Sequence, residues 1–164
     1  MIERILIGVN DSDPSDQAVE VGLGLAKQLN ARAALIHVVD VAVAVAPVLA
    51  DAGTGFPMVS HPAVVAPAAM GAAIPDEDTG RMTGERLLAS ARQSTAELDR
   101  PMEFLREGKP VDEILATAQE WRADLIVLGT HGRRAIAHLL MGSTSEAVLR
   151  GAECPVMLVQ AKVN

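Results

Sequence analysis

The residues with the clearest chemical potential lie in two glycine-containing segments near the C-terminal end. Gly129-Thr130-His131-Gly132 is followed, after nine residues, by Gly142-Ser143-Thr144-Ser145. Glycine has no Cβ, so backbone N–H groups in these segments can approach an anion closely. A helix is predicted to start at the second segment, and its unpaired N–H groups and dipole favour negative charge. The sequence therefore predicts a phosphate-binding site. The alternative is that the glycines only form two unrelated turns. The Ser-Thr-Ser run and the predicted helix start favour the phosphate site over this alternative.

Basic side chains accompany the glycines. His131 and Arg133 lie between the two pairs and are candidates to contact phosphate oxygens; otherwise they are ordinary loop residues. The formal net charge of −7 and the aromatic content of 2% argue against nucleic acid as a partner, because a polyanion is repelled and stacking rings are scarce. No spacing of His and Cys indicates a zinc site, so no metal ligands are predicted. His37 lies within an apolar run and is interpreted as a core histidine.

The elements that must position this site are apolar runs separated by helical patterns. The runs are continuous rather than alternating, as in parallel strands that are buried on both faces. Strands are predicted at residues 5–9, 33–39, 102–106, 125–128 and 156–159. Apolar residues recur at helical spacing between them, and the first helix is predicted to start at Asp13-Pro14 with Asp13 as its N-cap. This order predicts an α/β fold, an open five-stranded parallel sheet with helices on both faces.

The bulk composition indicates one globular domain, with 164 residues and a hydrophobic content of 49%. Residues 41–80 interrupt the alternation, being rich in Ala, Val, Pro and Gly without a clear period. We expect an insertion that covers a partner subunit or the ligand mouth, a mobile surface loop being the alternative. The lone Cys154 and the lack of a signal-peptide pattern predict a cytoplasmic protein. The longest apolar stretch, residues 41–50, is too short to cross a membrane.

The site should form where turns from different strands meet. In open α/β sheets, ligands bind beyond the carboxyl ends of the strands, at the point where the strand order reverses. The turn after the first strand, Val9-Asn10-Asp11, and the turn that begins at Gly129 are expected to meet there. Val39, at the end of the second strand, is a candidate for the wall of the same crevice.

The glycine spacing resembles a known signature, G-x-x-G-(nine residues)-G-[S/T], of the ATP-binding branch of the universal stress protein family. Further segments are similar to that family: residues 5–12, 109–115, 123–129 and 154–159. The likeness covers nearly the whole chain except residues 41–80. It implies a Rossmann-like fold of the adenine nucleotide alpha hydrolase type, with strand order 3-2-1-4-5.

The resemblance also implies roles for single residues. Val9 and Asn10 match the turn that faces adenine and ribose, and the Val39 backbone matches the strand end at the adenine edge. Gly129 and Gly132 match the glycines beside the ribose and the phosphates. The implied phosphate contacts are backbone and hydroxyl groups of Gly142, Ser143, Thr144 and Ser145. The ligand would be ATP, or ADP or AMP, with Mg²⁺ bridging the phosphates.

Asn10 departs from the family, which usually has Asp at this position. An amide donates and accepts hydrogen bonds, but it lacks the charged acceptor that suits a ribose hydroxyl. The neighbouring Asp11 would substitute if the turn shifted.

The predicted function is a nucleotide-binding regulatory protein of the stress response, acting through an unknown protein partner or its own assembly. The family implies a homodimer that pairs through the last strand, Pro155 to Gln160. An alternative is a weak ATP hydrolase or phosphoryl-transfer enzyme, in which His131, Arg133 and a metal act at the same site. A flavodoxin-like FMN protein is disfavoured because the chain has few aromatic rings to stack on a flavin.

Overall fold

The computed structural model describes residues 1–40, 77–93, 100–130 and 143–160; of Glu77 and Ser143 it describes the backbone. The strands are β1 (Arg4–Gly8), β2 (Arg32–Asp40), β3 (Met102–Gly108), β4 (Leu125–Thr130) and β5 (Val156–Gln160). The helices are α1 (Asp13–Leu29), α2 (Glu77–Gln93), α3 (Pro110–Trp121) and α4 (Ser143–Gly151). None of the helices in these ranges is long and apolar enough to cross a bilayer.

The strands form one parallel sheet in the order β3-β2-β1-β4-β5. This confirms the expected topology, in which the chain moves outward from β1 to β3 and then returns to β4 on the other side of β1. The strand order therefore reverses between β1 and β4, and β3 and β5 form the two edges of the sheet.

Helices cover both faces of the sheet, as predicted. Alternate residues of a strand point to opposite faces, so each strand contributes to two cores. On the α1 and α2 face, the buried residues include Ile5, Ile7, Leu35, Leu23 and Leu88. On the α3 and α4 face, they include Leu6, Ile36, Ile126, Ile114 and Val148.

The start of α1 lies one residue away from its predicted position. Ser12, not Asp13, is the N-cap, with an extended backbone at φ −156° and ψ 147°. Its hydroxyl does not cap the helix but donates to Asn10 Oδ1 at 2.5 Å. Asp13 and Pro14 therefore occupy the first helical positions, where a proline without an N–H costs nothing.

Helix α2 packs closely on β2 through glycines. A Cβ on Gly80 would lie 2.7 Å from Val39 Cγ1, and one on Gly84 would lie 2.6 Å from His37 Cδ2. Residues 77–80, assigned from the sequence to the insertion, belong to this helix, and Gly80 packs against Val39 of β2. Residues 41–76 lie outside the described part of the chain.

Candidate functional site

A cleft of about 150 Å³ opens beyond the carboxyl ends of β1, β2 and β4, where the strand order reverses. Its floor consists of Val9, directly after β1, and of residues within the strands: Gly8, Ile36, Val38, Leu128 and Gly129. The β1–α1 turn and the helix starts contribute the rest: Asn10, Ser15, Pro110, Ile114, Thr144 and Ser145. The cleft lies on the α3 and α4 face, since Ile36, Leu128 and Ile114 belong to that core.

Several residues predicted from sequence line this one cleft. They are Val9, Asn10, Gly129, Thr144 and Ser145, which come from three separate parts of the chain. Asp11 is exposed and is not part of the lining. Four other candidates lie outside the described residues: His131, Gly132, Arg133 and Gly142. Ser143 begins α4, and its side chain is not described.

The end of β2 contributes a different side chain from the one expected. Val38 lines the cleft, whereas the side chain of Val39 faces α2 on the opposite side, next to Gly80. The expectation for Val39 concerned its backbone and stays a prediction. Sequence reasoning missed the apolar floor, because Ile36, Val38 and Leu128 read as ordinary core residues. Strand alternation was the available signal, and it requires knowing which face holds the cleft.

The β1–α1 turn is held by short hydrogen bonds. The Val9 N–H donates to the Ile36 carbonyl at 2.8 Å, which extends the β1–β2 ladder by one step. The Asn10 N–H donates to Ser15 Oγ at 2.8 Å, and Ser12 Oγ donates to Asn10 Oδ1. The Asn10 side chain is therefore oriented by its own turn, at the mouth of the cleft, with its Nδ2 group as the donor end.

Gly129 has a packing role that does not depend on a ligand. A Cβ there would lie 2.5 Å from the Pro14 carbonyl carbon, 2.6 Å from the Pro14 oxygen and 2.7 Å from the Ser15 nitrogen. All three are backbone atoms of the first turn of α1, which thus rests directly on β4. The Gly129 carbonyl also accepts a hydrogen bond from Ser145 Oγ at 2.9 Å, which connects β4 to α4.

The first turn of α4 borders the cleft through Thr144 and Ser145. A helix start carries unpaired N–H groups and a positive dipole end, which suit an anion. The buried Ser145 hydroxyl donates to Gly129, so its hydrogen is already used within the protein. The Glu146 carboxylate accepts a hydrogen bond from Arg150 Nη2 at 2.8 Å, because Arg150 lies one turn further along the helix.

The described lining of the cleft contains no carboxylate, histidine or thiol. Among residues 1–40, 77–93, 100–130 and 143–160, no group of three or more His, Cys, Asp or Glu side chains could hold a metal ion. Mg²⁺ prefers carboxylate and phosphate oxygens, and of these two the described lining offers neither. These residues do not fit a metal held by the protein, although they do not oppose one carried by ligand phosphates.

A larger groove of about 470 Å³ lies between the C-terminal ends of α3 and α4, at the opposite end of the sheet. Its lining includes Arg122, Glu153 and Cys154, and none of the predicted site residues. Burial raises the pKa of the Cys154 thiol, so the thiol is not activated. The smaller cleft is the better candidate, because it lies at the carboxyl ends of the strands and at the start of a helix.

Fold and cleft together define a class: an open parallel α/β protein with a cleft at the point where the strand order reverses. A model of the universal stress protein family matches residues 1–160. The chain belongs to the universal stress protein family. Universal stress protein MJ0531 of Methanocaldococcus jannaschii is 29% identical over 168 residues, which cover 98% of this chain and 83% of that protein.

Solved structures of universal stress proteins share the fold. One, in complex with cAMP, is 24% identical with a TM-score of 0.67, and the match covers 98% of this chain and 99% of that one. Another, from Archaeoglobus fulgidus in complex with dAMP, is 17% identical with a TM-score of 0.61 over 97% of this chain and 98% of that one. At these identities, the likeness establishes the fold.

Proposed function

We propose that this universal stress protein binds an adenine nucleotide in the cleft beyond β1, β2 and β4, and that it acts as a regulatory protein of the stress response. The observation that carries the proposal is the arrangement of the cleft. It combines an apolar floor for a base, the polar Asn10 at the mouth and the first turn of α4 for an anion.

Membership of the family and two of its solved structures support the proposal. Those structures are complexes with cAMP and dAMP, both of them adenine nucleotides with one phosphate. ATP is the ligand proposed for this chain, with ADP and AMP as the alternatives, because the glycine spacing is that of the ATP-binding branch. Any Mg²⁺ would be carried by the phosphates. Gly132, Gly142, His131 and Arg133 remain proposed phosphate contacts.

Binding is favoured over ATP hydrolysis. Hydrolysis requires a group that positions or deprotonates water, and the described lining of the cleft carries no carboxylate or histidine for that purpose. The floor of Ile36, Val38 and Leu128 suits a base rather than a reacting water. If the protein binds the nucleotide without hydrolysing it, its regulatory effect would depend on the conformation of the nucleotide-bound protein.

Calorimetric titration with ATP, ADP, AMP and cAMP, each with and without Mg²⁺, tests the proposal. Val38→Phe fills the floor of the cleft and should weaken binding by about tenfold or more, or 1.4 kcal/mol, because the base loses its space. Val21→Phe is the matched control, since Val21 is exposed on α1 and should leave binding unchanged. Absence of binding for all four nucleotides, or equal binding by both variants, would overturn the proposal.

We also propose a homodimer through the segment Pro155 to Gln160. Support comes from β5, which is an edge strand: among the described strands, none lies beside the outer side of its backbone. Met157 on this strand is partly exposed at 36%. Strand pairing across a two-fold axis would cover both features.

A further inference from the structure

The peptide unit between Val9 and Asn10 is held from both sides. Its carbonyl oxygen, on Val9, lies 2.8 Å from His37 Nδ1, on β2. Its N–H, on Asn10, donates to Ser15 Oγ, on α1, at 2.8 Å. The two contacts lie at opposite ends of one planar group, so together they set the rotation of that plane. The plane in turn sets the direction in which Asn10 leaves the sheet.

The contact with His37 has a defined direction. A carbonyl oxygen only accepts hydrogen bonds, so Nδ1 must carry the hydrogen and donate it. The β1–β2 ladder continues to the Val9 N–H, which bonds to the Ile36 carbonyl. After that bond, the next acceptor is the Val9 carbonyl, and it accepts from the His37 imidazole instead of from a backbone N–H of β2. A buried carbonyl at this position is satisfied without extending the strand, and the turn can leave the sheet at Asn10.

The imidazole itself is held against helix α2. A Cβ on Gly84 would lie 2.6 Å from His37 Cδ2 and 3.2 Å from Nε2, so the glycine allows the helix backbone to rest on the ring. Ser15, at the other end of the peptide unit, is 2% exposed. The His37 ring therefore lies against α2, and Ser15 is buried in the first turn of α1.

We propose that His37 is a positioning residue of the cleft: through its bond to the Val9 carbonyl, and together with Ser15, it fixes the peptide plane that orients Asn10. The proposal rests on the proposed function for its ligand, an adenine nucleotide. His37 does not line the cleft, and it acts through Val9 and Asn10, which do. Helix α2 is thereby connected to the turn of the binding site through the His37 ring.

Two substitutions of similar size separate a positioning role from a merely structural one. The amide nitrogen of Asn, like His Nδ1, is two bonds from Cβ, so His37→Asn keeps a donor near the Val9 carbonyl. The amide nitrogen of Gln is three bonds from Cβ, so His37→Gln fills the space better but misplaces the donor. We expect His37→Asn to resemble the wild type and His37→Gln to lose protection of the Asn10 amide against hydrogen exchange by about tenfold.

The affinity for nucleotide should change in the same way as the hydrogen exchange. In calorimetry with ATP and Mg²⁺, His37→Gln should bind about tenfold more weakly, while His37→Asn stays close to the wild type. Ser15→Ala, which removes the other support, should weaken binding in the same way as His37→Gln. Equal behaviour of the Asn and Gln variants in both measurements would overturn the proposal.

A further measurement uses the wild type, so its result does not depend on whether a variant folds. The ¹⁵N signals of the His37 imidazole should report a protonated Nδ1, and a neutral ring protonated at Nε2 would overturn the proposal. Hydrogen exchange at Asn10 and the imidazole signals are recorded without ligand. If the wild type binds no nucleotide, the proposed function fails, while these two measurements still decide whether His37 holds the peptide plane.

Discussion

Gly129→Ala tests whether the first glycine of the motif is required by packing or by a ligand. The added Cβ would lie 2.5 to 2.7 Å from backbone atoms of Pro14 and Ser15. A flexible side chain could rotate away from such a contact, but the backbone of a helix start cannot. Either α1 moves off β4 or β4 distorts, and both changes disturb the buried core on that face.

The expected cost follows from this geometry. Overpacking of a well-packed site costs about 1–3 kcal/mol, and contact with backbone places Gly129→Ala in the upper half of that range. Gly24→Ala is the matched control, since Gly24 lies within α1 and a Cβ there meets no atom of the described residues within 4 Å. That substitution should stabilise the protein by about 0.8–1.0 kcal/mol, the difference in helix propensity between Gly and Ala.

Urea unfolding without any ligand measures both effects. The unfolding midpoint should fall for Gly129→Ala and rise for Gly24→Ala, with unchanged slopes. In thermal unfolding of a chain of this size, each kcal/mol of change in the free energy of unfolding would shift Tm by roughly 2–4 °C. A Gly129→Ala protein as stable as the wild type would refute the packing argument. If that stable variant had also lost nucleotide binding, the glycine would serve the ligand alone.

Two further predictions concern Asp124, directly before β4, and the edge strand β5. Backbone hydrogen bonds from the Glu3 and Arg4 N–H groups, each 2.9 Å long, lower the pKa of Asp124. Because the pKa is lower in the folded state, the stabilisation is present above the unfolded-state pKa and is lost as the pH falls through the folded-state value. Unfolding midpoints between about pH 7 and about pH 2 should therefore fall less steeply for Asp124→Asn, and parallel curves would contradict this. Met157→Lys on edge strand β5 should convert the proposed dimer to a monomer in sedimentation, whereas Met82→Lys, exposed on α2, should not.

Much of the architecture was predictable because its signals are local. Continuous apolar runs such as residues 125–128 identify strands buried on both faces, and Asp13-Pro14 identifies a helix start to within one residue. The alternation of these elements then leaves few topologies. The position of the cleft was predictable for the same reason, since Val9 and Asn10 directly follow β1 and Gly129 lies in the last two residues of β4.

The three-dimensional structure decided which side chains face the cleft and what holds them. Val38 and Val39 are both valines at a strand end, and only the packing of α2 and α3 on opposite faces assigns the cleft to Val38. The need for glycine at position 129 arises from α1, more than a hundred residues earlier in the chain. The bond of His37 to the Val9 carbonyl likewise joins two strands. Sequence periodicity records which residues are buried, because burial follows the local repeat of a helix or strand. It does not record which distant backbone lies against them, because that depends on how the elements pack.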